Sequence, residues 1–366
     1  MSKIYFIEAT QLNRLFVWIK EDFRVFAPAA KEPLGAALEA DYCFVRALGD
    51  APLVYNPYRT VEPLKSFFTP AQEKLLDYFL PDKDSNAKQA EKNVIFGVKS
   101  CDITGHKVQD YVFLEGVEVD SQYRLRRENT LIISSDCTGF KEVCHCLAWD
   151  ILPHPAVGFD INLSPLNDGY LAEVGSAAGE DFVQKYDEYF SRAKEPQINA
   201  RNKKRENFIE QLRKHLLPQN LVRKDSVQKL VKEGYNLNTW QEFMLTCVEC
   251  GGCNLICDTC HCFLLADRAM PSSQKPGGKE NGAHEKLRLW DSCLYANYAR
   301  VAGGANPLKM RAQRLRNRFM KKFDFFVDNL GVPACCGCGR CIEVCPGKID
   351  IREVLKDLAK KSSPHK

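Results

Sequence analysis

The sequence predicts an α/β domain with a mixed sheet over residues 1–235, followed by an α-helical domain over residues 236–366. Three observations point there. Short β-branched and aromatic runs recur through the first part, helical spacing of Leu, Val, Ile and Phe replaces them from about residue 187, and the cysteines gather into two tight quartets only in the second part.

The strand-like runs lie at residues 4–7, 42–48, 94–98, 131–134 and 170–174. A helix is expected over 71–80, where Leu75, Leu76, Phe79 and Leu80 fall near one face and Pro81 stops the turn. Polar stretches at 81–93 and 271–284 carry no apolar period and read as exposed loops. Helices follow at 208–217, 221–234 and 239–245, and no strand pattern recurs before the end. The segment 308–330 sets Leu315, Phe319, Phe323 and Phe326 on one stripe, with Arg311, Arg314, Arg316, Arg318, Lys321 and Lys322 around it. A solvated helix face is the commoner explanation for such a run, and a docking face for an acidic partner such as ferredoxin is the other.

With 366 residues and 45% apolar content, the chain can bury a core in each part. A net charge of +4 gives no reason to invoke nucleic acid or an anionic membrane surface. Lys3, Glu8 and Arg14 interrupt the first fifteen residues, so a signal peptide is not expected, and no run approaches the apolar length of a membrane span. Seventeen cysteines at two- and three-residue gaps then suggest metal ligation in a reducing cytoplasm rather than disulfides.

Cys247, Cys250, Cys253 and Cys257 stand in the spacing C-x2-C-x2-C-x3-C, and Cys335, Cys338, Cys341 and Cys345 repeat it, with Pro346 after the last. Bacterial ferredoxins hold [4Fe-4S] clusters with this run. Three thiolates on a tight loop reach one cube, while the fourth points away and completes the other. One cluster is therefore expected on Cys247, Cys250, Cys253 and Cys345, and the second on Cys257, Cys335, Cys338 and Cys341. Asp258 stands where the proline of the first motif would be. A structural zinc scaffold is the competing reading of paired CxxC units. The long insert between the quartets and its helical flanks make this part similar to the α-helical ferredoxin arrangement of succinate dehydrogenase-type iron-sulfur subunits.

Nine cysteines remain. Cys43 and Cys336 read as small core side chains. Cys260, Cys262 and Cys293 suit packing around a cluster, with a further ligand set or a redox-active thiol as alternatives. Cys101 and Cys137 follow predicted strands, and Cys144 and Cys146 lie on the next loop. These four could gather at one sheet edge as a third metal site, most simply another [4Fe-4S] cluster, or they are buried thiols. The sequence carries no HExxH, Walker or strand-linked GxGxxG motif, so no flavin or nicotinamide site is expected in this chain.

Beyond the quartets, the chain carries EPLKSFF from Glu62, GVKSCDI from Gly97, RRENT from Arg126 leading to Cys137, and GYLAEVG from Gly169. The stretch from Cys257 to Phe263, and that from Trp290 to Pro307 with its Val301-Ala302-Gly303-Gly304 turn, complete the set. With these strings the chain resembles, over nearly its whole length, the β subunit family of cytoplasmic sulfhydrogenases, shared with the A subunit of anaerobic sulfite reductase. It departs from relatives at Lys99-Ser100, where they carry arginine-proline, and at Asp258. The resemblance implies an electron-relay subunit beside a flavin subunit that exchanges electrons with NAD(P) and a separate catalytic redox subunit. The alternative is a stand-alone redox enzyme with a catalytic cofactor in the N-terminal domain.

Overall fold

The run Asn93–Val98 shows why this chain builds a two-sided sheet: Val94 and Phe96 enter one core cluster and Ile95 the other. Leu131 and Ile133 repeat the alternation against Ile132 on the neighbouring strand, as the two-residue period of a strand dictates. The computed structural model describes residues 3–31, 40–49, 51–78, 91–269 and 284–362.

The chain runs β1 (Ile4–Glu8), α1 (Ala9–Trp18), β2 (Arg24–Lys31), β3 (Asp41–Arg46), β4 (Gln72–Tyr78), β5 (Asn93–Val98), α2 (Ser100–Leu114), α3 (Ser121–Glu128) and β6 (Thr130–Ser135). It continues through β7 (Ile161–Pro165), β8 (Gly169–Val174), α4 (Ala177–Lys185), β9 (Ser191–Arg192), α5 (Glu195–Leu216), α6 (Lys224–Glu233) and α7 (Thr239–Phe243). Last come α8 (Gly252–Leu255), β10 (Phe263–Ala269), β11 (His284–Trp290), α9 (Arg311–Met320), a π turn (Lys321–Phe325), α10 (Phe326–Leu330), α11 (Arg340–Glu343) and α12 (Ile351–Ser362).

Eight strands form a mixed sheet in the order β3-β2-β5-β6-β7-β8-β1-β9. Its centre, β2-β5-β6-β7, is parallel and its flanks are antiparallel. Helices α1 and α4 cover one face through Leu12, Leu15, Phe16, Phe182 and Val183. Parallel pairing of β5 with β6 brings their carboxyl ends side by side, which is where such sheets present functional residues. A helical core forms separately, with Val227 and Val231 of α6, Trp240 of α7, Leu315 and Phe319 of α9 and Val354, Leu355 and Leu358 of α12.

Two expectations from the sequence fail. Residues 72–78 form strand β4 rather than a helix, in the three-stranded order β10-β11-β4. A short apolar run does not distinguish the two states, and here an ion pair decides. Glu73 turns inward opposite Arg288, whose Nε donates to it at 3.0 Å, and Arg126 also pairs with it, while Leu76 on the other face is exposed. Strands also recur in the second part as β10 and β11, so one sheet is shared by residues from both sides of position 235. The loops expected at 81–93 and 271–284 fall mostly outside the described residues, and their last positions begin β5 and β11.

Phe319→Ala should lower the unfolding free energy by about 3–5 kcal/mol, the usual cost of emptying a buried aromatic site. Leu76→Lys should change it by less than about 0.5 kcal/mol, as expected for the exposed face of a strand. Chemical denaturation of both variants checks the pair, and a large loss in Leu76→Lys would instead indicate a buried helix face.

Candidate metal centres

The two quartet loops fold alike. Gly251 and Gly339 each stand just before a four-residue helix, α8 and α11, at φ of 72° and 75°. A side chain is strained at such angles, so glycine suits both places where the loop turns back on itself. Cys253 and Cys341 sit on these short helices, while Cys257 and Cys345 lie just beyond them.

One cavity is lined by Cys247, Cys250, Cys253 and Cys345 together, the crossing set expected from the spacing, with Leu315, Phe319 and Arg318 at its wall. Cys341 also borders it. The Cys341 thiol is pushed up by burial, and Cys257, Cys335 and Cys338 stand near enough to raise it further. Cys341 belongs by spacing to the second set and brings it to the wall of the first cavity. A separate cavity is lined by Cys101, Cys137, Cys144 and Cys146, which the ends of β5 and β6 and the following loop bring to one place. Cys338 and Gly337 form part of its wall, and the Gly337 carbonyl accepts a hydrogen bond of 2.8 Å from the His145 amide.

Burial sets the electrostatics. It pushes Cys335 up to about 11 and Cys137 up to about 12, so these sites favour thiolates only with a compensating positive charge. Cations are already in place. Lys322 Nζ lies 3.3 Å from Cys257 Sγ and donates to Thr259 Oγ1 at 2.8 Å and to the Ala334 carbonyl at 3.1 Å. Burial works against its charge, but the Cys257 and Cys260 thiols hold its pKa above the ordinary lysine value. Arg318 donates from Nε to Asn254 Oδ1 at 2.8 Å, leaving a buried Nη2 without a partner at the wall of the first cavity. Lys99 is fully buried, donates to Ser135 Oγ at 2.7 Å, and is lowered by burial to about 8. Buried cations facing thiols rather than carboxylates fit anionic, thiolate-bound metal clusters, which would repay their desolvation.

A buried ion triad joins the second and third of these cysteine sets. Arg340 Nη1 lies 2.6 Å from Asp102 and 3.1 Å from Asp258, and all three side chains are inaccessible to solvent. Asp102 follows Cys101, Asp258 follows Cys257 and Arg340 precedes Cys341. Asp258 also accepts the Lys65 amide at 3.0 Å, a bond its carboxyl makes and a proline side chain could not. Burial opposes the charge of Asp102, yet Arg340 keeps its carboxyl below the usual range, whereas Asp258 is pushed well above it by burial and by Asp102.

The solvated helix face expected at 309–322 is therefore only partly so. Arg314, Arg318 and Lys322 are buried, and Arg311 stays exposed. Sequence reasoning missed these inward cations and the triad, although Asp102, Asp258 and Arg340 each sit directly beside a cysteine. Of the other cysteines, Cys293 is buried and accepts from Asn254 Nδ2 at 3.1 Å, Cys260 Sγ lies 3.6 Å from Asn254 Oδ1, and Cys262 lies 3.8 Å from the Tyr298 hydroxyl. Cys43 and Cys336 are buried.

Arg340→Met should destabilise the chain by about 3–5 kcal/mol, because it leaves two carboxyls facing each other without their cation. Asp258→Asn should cost less, since the amide oxygen can still accept from Lys65. Thermal unfolding of the two variants tests this order, and equal losses would contradict it.

Residues 246–349 match the family described as "4Fe-4S dicluster domain", which spans both quartets. Over 346 residues, 93% of each chain, the sequence is 30% identical to "Sulfhydrogenase 2 subunit beta" of Pyrococcus furiosus. Among the described residues no helix is long and apolar enough to cross a membrane. A likeness that extends over the sheet as well as the cysteine quartets means that the chain belongs to the family of sulfhydrogenase beta subunits.

Proposed function

We propose that this chain is a cytoplasmic iron-sulfur relay subunit of a multi-subunit oxidoreductase, passing single electrons between a flavin/NAD(P)-binding subunit and a catalytic redox subunit. On this reading its second part, apart from strands β10 and β11, is a helical, ferredoxin-like unit. Cys247, Cys250, Cys253 and Cys345 hold one [4Fe-4S] cluster, and Cys257, Cys335, Cys338 and Cys341 hold another. Cys101, Cys137, Cys144 and Cys146 hold a third.

The observation that carries the proposal is the adjacency of the three thiol groups. Cys341, assigned to the second cluster, borders the first cavity, and Cys338, assigned to the same cluster, borders the third. The order is therefore first, second, third, from exposed Cys250 to the sheet edge at Cys137. When bound, each cluster supplies a centre that takes up and releases one electron. The chain supplies the surroundings. Leu315, Phe319, Ile349 and Ile351 keep water from the first cavity, and Phe140, Phe208 and Leu212 keep it from the third. Lys322 and Arg318 place positive charge beside the thiols, favouring an added electron.

The anaerobically purified chain should carry about twelve irons and twelve sulfides, and changing both Cys144 and Cys146 to Ala should remove about four of each. Iron near eight with no loss in the double variant would reduce the relay to two clusters, and zinc in place of iron would end the reading. Removing the ammonium in Lys322→Met should move the midpoint potential of one cluster to more negative values while the others hold. Redox titration followed by electron paramagnetic resonance gives the answer, and unchanged potentials would show that Lys322 is only structural.

A further inference from the structure

The relay proposed above meets the surface at Cys250, which is the exposed one among the cysteines. Apolar side chains surround it where polar ones would be expected. Leu245, Val248, Met310 and Val344 are 77%, 65%, 62% and 39% exposed. Contacts place the last three at this edge, and Leu245 lies two residues before Cys247. Val248 lines the same cavity as Cys250, Val344 packs beside Gly252, and Arg311, which follows Met310, donates from Nη1 to the Cys247 carbonyl at 2.7 Å.

Outside the apolar centre stand the exposed cations Lys309, Arg311 and Lys348. The nearby carboxylates are engaged elsewhere, Glu249 by Arg314 and Asp350 by Arg352. Among the described residues no ion pair is formed by Lys309, Arg311 or Lys348. A small apolar centre over an exposed ligand, with a cationic rim, has the form of a transient electron-transfer contact. A permanent subunit interface would need a far larger apolar area, since brief redox encounters bury the least surface of any specific contact.

We propose that this face docks a small acidic one-electron carrier protein of the ferredoxin kind. The partner's carboxylates would meet Lys309, Arg311 and Lys348, and its apolar contact surface would lie over Val248 and Met310. One electron passes from the reduced carrier to the site at Cys250. No bond forms or breaks and no proton moves. The inference deepens the relay reading and rests on it, because an exposed cysteine without a cluster would have nothing to exchange.

The experiment uses the full, iron-loaded chain and a reduced two-cluster bacterial ferredoxin as probe, with the transfer followed by stopped-flow absorbance. In the native chain the rate constant should fall as salt is raised. In the variant Lys309→Glu/Lys348→Glu it should drop at least tenfold and lose that salt dependence. Met310→Asp, which puts a carboxylate in the apolar centre, should also slow transfer severalfold. Iron content, and the rate of reduction by a neutral photoexcited deazaflavin, should stay at the native level in both variants. If both variants keep their iron and react with ferredoxin at the native rate and salt slope, the docking face is not here. A native chain that binds no iron fails earlier, on the relay reading itself, and takes this proposal with it.

Discussion

One buried guanidinium, that of Arg340, governs how the cysteine-bearing segments meet. Arginine cannot shed its charge, so burying it commits the fold to supplying acceptors on every side. It finds Asp102 from the first helix after β5, Asp258 from the end of the first quartet, and the carbonyls of Thr60, Val61 and Glu62. Those partners come from three distant stretches of sequence. Each lies within a few residues of a cysteine or of the loop that carries Arg59 to Cys338. The register of one loop against another is thereby set by charge pairing, which tolerates little displacement, rather than by apolar packing alone.

The same logic explains why so many cations lie inside this protein. Lys65 reaches the carbonyls of Asn254 and Cys260 and stacks over Trp290. Lys99, Arg318 and Lys322 take equally dry positions. In an apolar core they would be a heavy burden, but beside the anionic clusters proposed above each would become a counter-charge. The π turn at Lys321–Phe325 helps, because its wider winding lets Lys322, Phe323 and Asp324 all be buried in succession. Lys322 faces the thiols there, while Phe323 joins the helical core.

Much of this was legible in the sequence, and the failures have physical reasons. The five strand-like runs fall on strands, and in β5 and β6 the reason is that their apolar residues alternate between two cores. The quartets were readable because ligand spacing is local. Strand β10 was invisible because its residues are exposed on both faces, apart from half-buried Ala266. Strand β11 hid because Glu285 and Arg288, which look like surface residues, point inward. Leu75 and Leu76 suggested a helix at β4 because the deciding partner, Arg288, lies far away in sequence. The triad escaped for the same reason, since charges that pair across such separations carry no local period.

The pairing of β4 with β11 bears on how the chain is made. Residues 72–78 leave the ribosome long before residues 284–290, so the early strand lacks its pairing strand until β11 has been made. Until then Glu73 lacks Arg288 and the strand edge stays open, a state prone to mispairing with other chains. Contacts of such long sequence separation close late and slowly. The second sheet can therefore lock only after residues 284–290 have emerged, however early β4 itself is made.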